Sequence, residues 1–269
     1  MNFGLVIIGD EILSGKRADK HLPKVIELLA ARGLSLSWAR YVGDEPARIT
    51  ADLKAAFASG DVVFSCGGIG ATPDDHTRQC AAAALGVPLA LHPQAREFVI
   101  ERMRDLAREQ ATTFDPDRDD NRHRLNMAVF PEGAEIIPNP YNKIAGFSVR
   151  RGEGGVFFVP GFPVMAWPMI EWVLDQATYR HLHRTHEISE RSVIVFGSME
   201  AALTPLMEAI EGGFAGVKVF SLPSVDHPQW GRHIELGVKG EHSRLDAAYR
   251  ALVEGLRALN ARLGPELVR

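Results

Sequence analysis

The densest run of chemically capable residues is DVVFSCGGIGATPDDHTR, from Asp61 to Arg78. Gly67, Gly68 and Gly70 follow an apolar segment directly, so the backbone there can turn sharply and approach a ligand where a Cβ would clash. Thr72 stands where a helix N-cap belongs, Pro73 at the first helical position, and Asp75 three residues after the cap. The expected product is a row of free N–H groups at a positive helix end, an anion site suited to phosphate. Asp74 and Asp75 would repel that same anion. A divalent cation such as Mg²⁺ removes the conflict, because it bridges protein carboxylates to substrate phosphates.

Further acids fall at the ends of predicted strands: Asp10 and Glu11 after the first, and Asp44 after the second. All lie on one expected edge of a sheet and can converge on one crevice with Asp74 and Asp75. Plainer roles stand beside these. Asp75 can be the return arm of a capping box, Gly70 a turn residue, Asp44 an N-cap before Pro46, and Glu11 a solvated side chain. Gly9 to Lys16, GDEILSGK, is not a nucleotide-hydrolase P-loop. Five residues separate its glycines instead of four, and Arg17 follows the lysine where Ser or Thr would hold Mg²⁺. His181, His183 and His186 read as a solvated linker run rather than a zinc site. Cys66 reads as a small buried residue with no base beside it.

The elements that must position these residues alternate. Strands are predicted at Leu5 to Ile8, Leu34 to Val42 and Asp61 to Ser65. Helices follow at Leu22 to Ala31, Pro46 to Ala58 and Asp75 to Leu85. Such alternation implies a mostly parallel sheet with helices on both faces and ligands beyond the strands' carboxyl ends. Beyond Leu85 come a helix at Pro93 to Ala111 and a polar surface excursion at Thr112 to Arg124. Short strands then fall around Val129, Ile136, Phe147 and Val156, before a helix at Pro163 to Leu174. The fold class is therefore α/β, and the expected domains are residues 1–178, a linker at 179–190, and a small α+β lobe at 191–269. That lobe should contain a strand from Ser192, a helix at Ala201 to Ile210, strands at Val217 to Ser221 and His233 to Val238, and a last helix at Leu245 to Leu263.

Composition bounds the function. With 46% hydrophobic and 24% charged residues, the 269-residue chain can bury a sizeable core. Its formal net charge of −4 and the lack of a basic stripe argue against a nucleic-acid surface. No run approaches membrane-spanning length, and the opening MNFGLVIIGDE lacks a basic leader. Two cysteines suit a reducing compartment, so a cytoplasmic location is expected.

The residues also match a family. GDEILSG at Gly9 to Gly15, VGDEPARI at Val42 to Ile49 and DVVFSCGGIGATPDDHTR are joined by PEGAEIIPNP at Pro131 to Pro140, AGF at Ala145 to Phe147 and VPGFP at Val159 to Pro163. Together, over roughly the first 175 residues, this order resembles the molybdopterin-binding (Mog-like) domain family of molybdenum-cofactor biosynthesis. It is most like the branch found in competence/damage-inducible protein A (CinA). The resemblance implies a three-layer α/β/α fold with a ligand site formed by Asp10, Asp44, Gly67, Gly68, Gly70, Thr72, Asp74 and Asp75. It also implies a nucleotide or pterin phosphate as ligand, with molybdopterin one such pterin. Metal-dependent cleavage of ADP-ribose- or FAD-type pyrophosphates is implied for the CinA branch, and adenylyl transfer to molybdopterin, or binding without turnover, for its relatives. The metal, Mg²⁺, Mn²⁺ or Co²⁺, would sit on Asp10, Asp74 and Asp75, which would also be the catalytic residues. Ala71 replaces a usual proline, and Lys143 to Ala145 (KIA) replaces a smaller run before Gly146. Gly146 is expected at the ligand site, and Lys143 is expected to add a phosphate contact. The C-terminal lobe is shorter than the amidohydrolase domain often fused behind CinA, so nicotinamide-nucleotide deamidation is not expected. That lobe is expected to form a homodimer, by analogy with related proteins.

Overall fold

A computed structural model describes residues 1–183 and 188–268. The chain divides into two compact units, Met1–His183 and Arg184–Arg269.

The first unit opens with β1 (Phe3–Ile8), a short α1 (Asp10–Leu13), α2 (His21–Ala30), β2 (Leu36–Val42), α3 (Pro46–Ser59), β3 (Val62–Cys66) and α4 (Thr77–Leu85). It continues through β4 (Leu89–Leu91), α5 (Pro93–Glu109), α6 (Asp119–Leu125), β5 (Val129–Pro131), β6 (Glu135–Ile137), β7 (Gly146–Arg151), β8 (Gly154–Val159), α7 (Pro163–Leu174) and α8 (Ala177–Arg180). Its main sheet runs β2-β1-β3-β8-β7-β6. The pairs β1–β2, β1–β3 and β3–β8 are parallel, whereas β7 and β6 are added antiparallel at one side. β4 and β5 form a separate antiparallel ribbon.

Parallel strands covered on both faces must be apolar on both, and all six residues of β1 are buried. Phe3, Leu5 and Ile7 pack with Val25, Leu29, Met169 and Ile170, so α2 and α7 cover one face. Val6 and Ile8 pack with Ile49, Leu53, Ala81 and Val99, which places α3, α4 and α5 on the other. This is the three-layer arrangement expected from the sequence. Gly4 admits the Trp38 indole from β2, since a Cβ there would lie 2.2 Å from the ring. The chain leaves β1 toward β2 on one side and β3 on the other. Strand order therefore reverses at the carboxyl ends of β1 and β3, where α/β sheets open a crevice.

Helix α4 starts two residues later than the sequence predicts. The segment Thr72 to Asp75 is a turn, closed by Asp75 N–H donating to Thr72 O at 3.1 Å, and Thr72 is not a helix cap. The polar excursion contains α6, and β4 was not foreseen.

The second unit holds β9 (Ile188–Phe196), α9 (Glu200–Gly213), β10 (Lys218–His227), β11 (Gly231–Glu241), α10 (His242–Ala258) and β12 (Arg262–Val268). Its antiparallel sheet runs β10-β11-β9-β12, and Val193, Val195, Ile234, Leu236 and Val238 form a core with Leu203, Ile210, Leu245, Leu252 and Leu256 of the helices. The predicted terminal helix stops early: Asn260 takes φ 56°, and the chain turns back as β12 beside β9.

Candidate functional site

The crevice edge is built by two glycine turns. Gly67 has φ 108°, and a Cβ on it would lie 2.2 Å from the Ile8 carbonyl oxygen at the end of β1. Gly68 has φ 69°, and its Cβ would meet Thr77 Oγ1 at 2.2 Å. Only glycine supplies these backbone angles in that space. The turn is tied on both sides: Gly67 N–H donates to Val159 O at 3.0 Å, and Thr77 donates from Oγ1 to Gly67 O and from its amide to Gly68 O, each at 3.0 Å.

Two strand-end acids interlock beside it. Asp10 N–H donates to Asp44 Oδ2 at 2.9 Å, and Asp44 N–H donates to Asp10 Oδ1 at 3.2 Å. Gly43 makes room, because a Cβ on it would fall 2.5 Å from Asp10 Oδ1. Desolvation pushes the Asp44 carboxyl above its ordinary value. The Asp10 amide opposes the rise, and the negative charges of Asp10, Glu11 and Asp74 reinforce it. That sum is the electrostatic mark of acids from three segments gathered at one sheet edge.

Asp74 and Asp75 differ. Asp75 Oδ2 accepts from Thr72 N–H at 2.8 Å and Thr72 Oγ1 at 2.5 Å, and Gly70 leaves space for that oxygen. Asp74 is exposed to solvent, and hydrogen bonding with Thr72 holds its carboxyl below the usual range.

The acids do not share one hollow. Asp10 lines one of about 400 Å³ with Tyr41, Gly43, Arg48 and Asp52. Thr72 and Asp75 line another of about 480 Å³ with His76, Arg78, Gln79 and His123. Among the described residues no three His, Cys, Asp or Glu side chains form a ready metal cage. The oxygens present are hard donors, and Asp10 Oδ2 and Asp44 Oδ1 accept no hydrogen bond from described residues, so the pair suits a hard cation completed by phosphate oxygens.

Two residues expected at the site lie elsewhere. Lys143 pairs with Glu101 at 2.6 Å and Asp105 at 2.9 Å, beside an apolar hollow with Phe98, Pro168 and Trp172. The α5 acids occupy it in place of a phosphate. Gly146 is buried at the start of β7, where a Cβ would strike Phe158 O at 2.3 Å and Met169 Cε at 2.7 Å. Its smallness serves sheet packing. Of the histidines, His183 Nε2 bonds the Leu174 carbonyl at 3.0 Å, and His186 lies outside the described residues. Cys66 is buried and its thiol pushed well up by burial, as the inert reading requires.

Sequence reasoning missed several neighbours. Arg78 is 4% exposed, donates from Nη1 to Ile69 O at 2.8 Å, and lines the Thr72 hollow. Desolvation lowers its guanidinium pKa against the pull of Asp75. His21 donates from Nε2 to Gly161 O at 3.0 Å, and a Cβ on Gly161 would stand 3.5 Å from the Gly67 Cα, so α2 holds that loop against the glycine turn. Asp19 accepts from the amides of His21 and Leu22 and from the Tyr41 hydroxyl. Burial and the Asp19 carboxylate push Tyr41 up to about 12. Arg78 closes the glycine-rich motif and His21 is a polar residue at the start of an apolar helix face, whereas Asp19 and Tyr41 carry no such signal.

The fold and its glycine-and-acid edge have relatives. A family model described as "Probable molybdopterin binding domain" matches residues 4–180, more than half of the 269-residue chain, and the chain belongs to that family. A CinA-like protein of Anaeromyxobacter dehalogenans is 35% identical over 181 residues, covering 67% of this chain and 42% of that protein. Another, of Citrifermentans bemidjiense, is 32% identical over 209 residues, covering 77% and 47%. The match thus spans less than half the length of either relative. The CinA crystal structure from Thermoplasma acidophilum, a protein described as of unknown function, shares the fold. Its TM-score is 0.55 at 23% identity, covering 66% of this chain and 99% of that one. Among the described residues no helix is long and apolar enough to cross a membrane.

Proposed function

We propose that the edge formed by β1, β2 and the Gly67 turn binds the phosphates of a nucleotide or pterin, and that the protein is a divalent-metal-dependent pyrophosphatase acting on ADP-ribose- or FAD-like substrates. The observation that carries this reading is the Asp10–Asp44 interlock, with the Asp44 carboxyl raised by desolvation first and then by its acidic neighbours. Like charges held together by backbone amides, with Arg48 of the same hollow already paired to Glu45 at 2.7 Å, call for a cation.

Asp10 and Asp44 would hold it, with Asp74 near enough to contribute charge. A bound Mg²⁺, Mn²⁺ or Co²⁺ supplies Lewis-acid polarisation of a phosphoryl oxygen and lowers the pKa of a coordinated water. The chain's own part is orientation. The Gly67–Gly68 turn, packed on Ile8 O and Thr77 Oγ1, fixes the end of β3 beside the acids, and Thr72, held by Asp75, lines the second hollow. Arg78 adds a positive charge that balances an anion there.

The second reading, adenylyl transfer to molybdopterin, draws on the family description. One assay separates the two. The protein is incubated with ADP-ribose, FAD or ATP and each metal, and AMP is followed by chromatography. Hydrolysis predicts AMP from ADP-ribose or FAD that falls roughly 10²-fold or more in Asp10→Asn and Asp44→Asn, by comparison with the loss caused by disturbing groups around metal ligands. AMP transfer only from ATP with a molybdopterin acceptor would overturn hydrolysis in favour of the second reading, and binding without turnover would overturn both.

A further inference from the structure

A hollow of about 830 Å³ lies in the second unit and is independent of the site above. We propose that it binds a small organic phosphate monoester with an apolar body, held by the start of α9, Arg232 and His233.

Three features converge on it. Helix α9 is capped by Met199, whose side chain accepts no hydrogen bond, so the Glu200 and Ala201 amides at its positive end are without side-chain partners. His233 is 6% exposed, and its Nδ1 donates to Gly231 O at 2.9 Å. Trp230 and His227 stack at 4.5 Å and meet its ring edge-on at 5.5 and 5.3 Å. The ring is therefore locked, and Nε2 is the nitrogen left without a partner on the wall of the hollow. The ring is more than nine-tenths buried, yet Nε2 is not sealed from solvent, so a ligand in the hollow can meet it. Arg232, the third feature, has no carboxylate partner among the described residues. Arg232 and His233 both line the hollow, beside a bulge between Ser224 and His227 that breaks the β10–β11 register.

The remaining wall selects the class. Met199 and Val225 are 72% and 73% exposed and, with Pro223, offer apolar surface to a ligand body. Bare phosphate would leave that surface wet. Glu200 is the acid on the wall, and its Oε1 already accepts the Ser221 hydroxyl at 2.5 Å. Its charge faces the Arg232 guanidinium, and His233, with Nδ1–H given to Gly231 O, presents an Nε2 lone pair that can accept the P–OH of a monoester, so the site suits a single phosphate better than a pyrophosphate. The volume is in the range that takes a nucleotide-sized ligand, about 300–1,000 Å³.

The test uses the full chain and phenyl phosphate. The indole N–H resonance of Trp230, assigned by its loss in Trp230→Phe, is followed during titration. A saturating shift, with affinity at least tenfold above that for inorganic phosphate, supports the proposal. So does at least tenfold weakening in both Arg232→Gln and Val225→Asp. The second change lies on an exposed position that folding does not need, and melting curves verify both variants. No shift at Trp230, equal affinity for inorganic phosphate, or unchanged binding in the two folded variants would each overturn it. Retention of the shift in Asp10→Asn separates this site from the strand-edge site.

Discussion

Replacing Gly67 with alanine tests whether the turn is shaped by close approach or by backbone angle alone. Gly60 provides the control. It takes φ 72° at the end of α3, and a Cβ on it meets nothing within 4 Å, so Gly60→Ala isolates the left-handed cost, about 1–2 kcal/mol. Gly67→Ala carries a comparable angular cost at φ 108°, and adds a Cβ 2.2 Å from Ile8 O. Since real Cβ contacts stay beyond 3.0 Å, β1 and the turn must separate by 0.8 Å, the difference of those two distances. Forced displacements of that kind in packed structure cost about 1–3 kcal/mol more. Urea unfolding should therefore place Gly67→Ala about 1–3 kcal/mol below Gly60→Ala. Nucleotide binding by calorimetry should be lost in Gly67→Ala and kept in Gly60→Ala. Equal destabilisation of the two would refute the claim that the Ile8 carbonyl and the turn are in contact.

Asp44→Asn keeps an acceptor for the Asp10 amide and removes a crowded charge. Because the folded-state value of Asp44 is raised, native stability falls as pH rises from 3.8 through that value, and the variant lacks this loss. Melting at pH 7 should rise by about 1–2 °C while Mn²⁺ affinity drops; a lower melting temperature at pH 7 would show that the interlock needs the charge. Arg32 grips Asp175 through Nε and Nη2 at 2.8 and 2.9 Å, joining the turn after α2 to the C-cap of α7, and the hydrogen bond from Arg32 holds the carboxyl below 3.8. That stability is present above 3.8 and lost as pH falls below it toward the folded value. Asp175→Asn should cost about 0.5–1 kcal/mol at pH 7 after solvent screening, and progressively less as pH falls below 3.8, measured by urea unfolding at each pH.

The central layer was readable because it rests on local patterning: FGLVII is apolar on both faces, and α2 and α3 repeat apolar residues at helical spacing. What sequence could not give were the choices made by distant partners. Thr72-Pro73-Asp74-Asp75 has every residue of a helix start, yet Thr77 hydrogen-bonds to Gly67 and Gly68, and the helix begins there instead. The last helix is expected to run to Leu263, but Asn260 takes φ 56° and Arg262 to Val268 pair with β9 instead. Lys143 stands one motif away from the glycines in the family pattern, and the α5 acids, about forty residues earlier in the chain, claim it. His21 reaches Gly161 across 140 residues, a contact no spacing rule contains.

The Asp10–Asp44 pair bears most directly on function because its geometry costs stability and is nevertheless fixed. Each carboxylate is held by the other residue's amide, so the two cannot swing apart to relieve repulsion without abandoning a backbone hydrogen bond. Solvent-exposed acids with no such tether would rotate away from one another at little cost. A site whose negative charges are locked before ligand arrives loses little further conformational entropy on taking up a cation, and the released repulsion adds to the affinity. Preorganisation of this kind predicts that cation binding stabilises the first unit more than it reshapes it. Mn²⁺ should raise its melting temperature while leaving hydrogen exchange in β1 and β3 slow and unchanged in pattern; exchange protection appearing there only after metal is added would mean the edge is assembled by the ion instead.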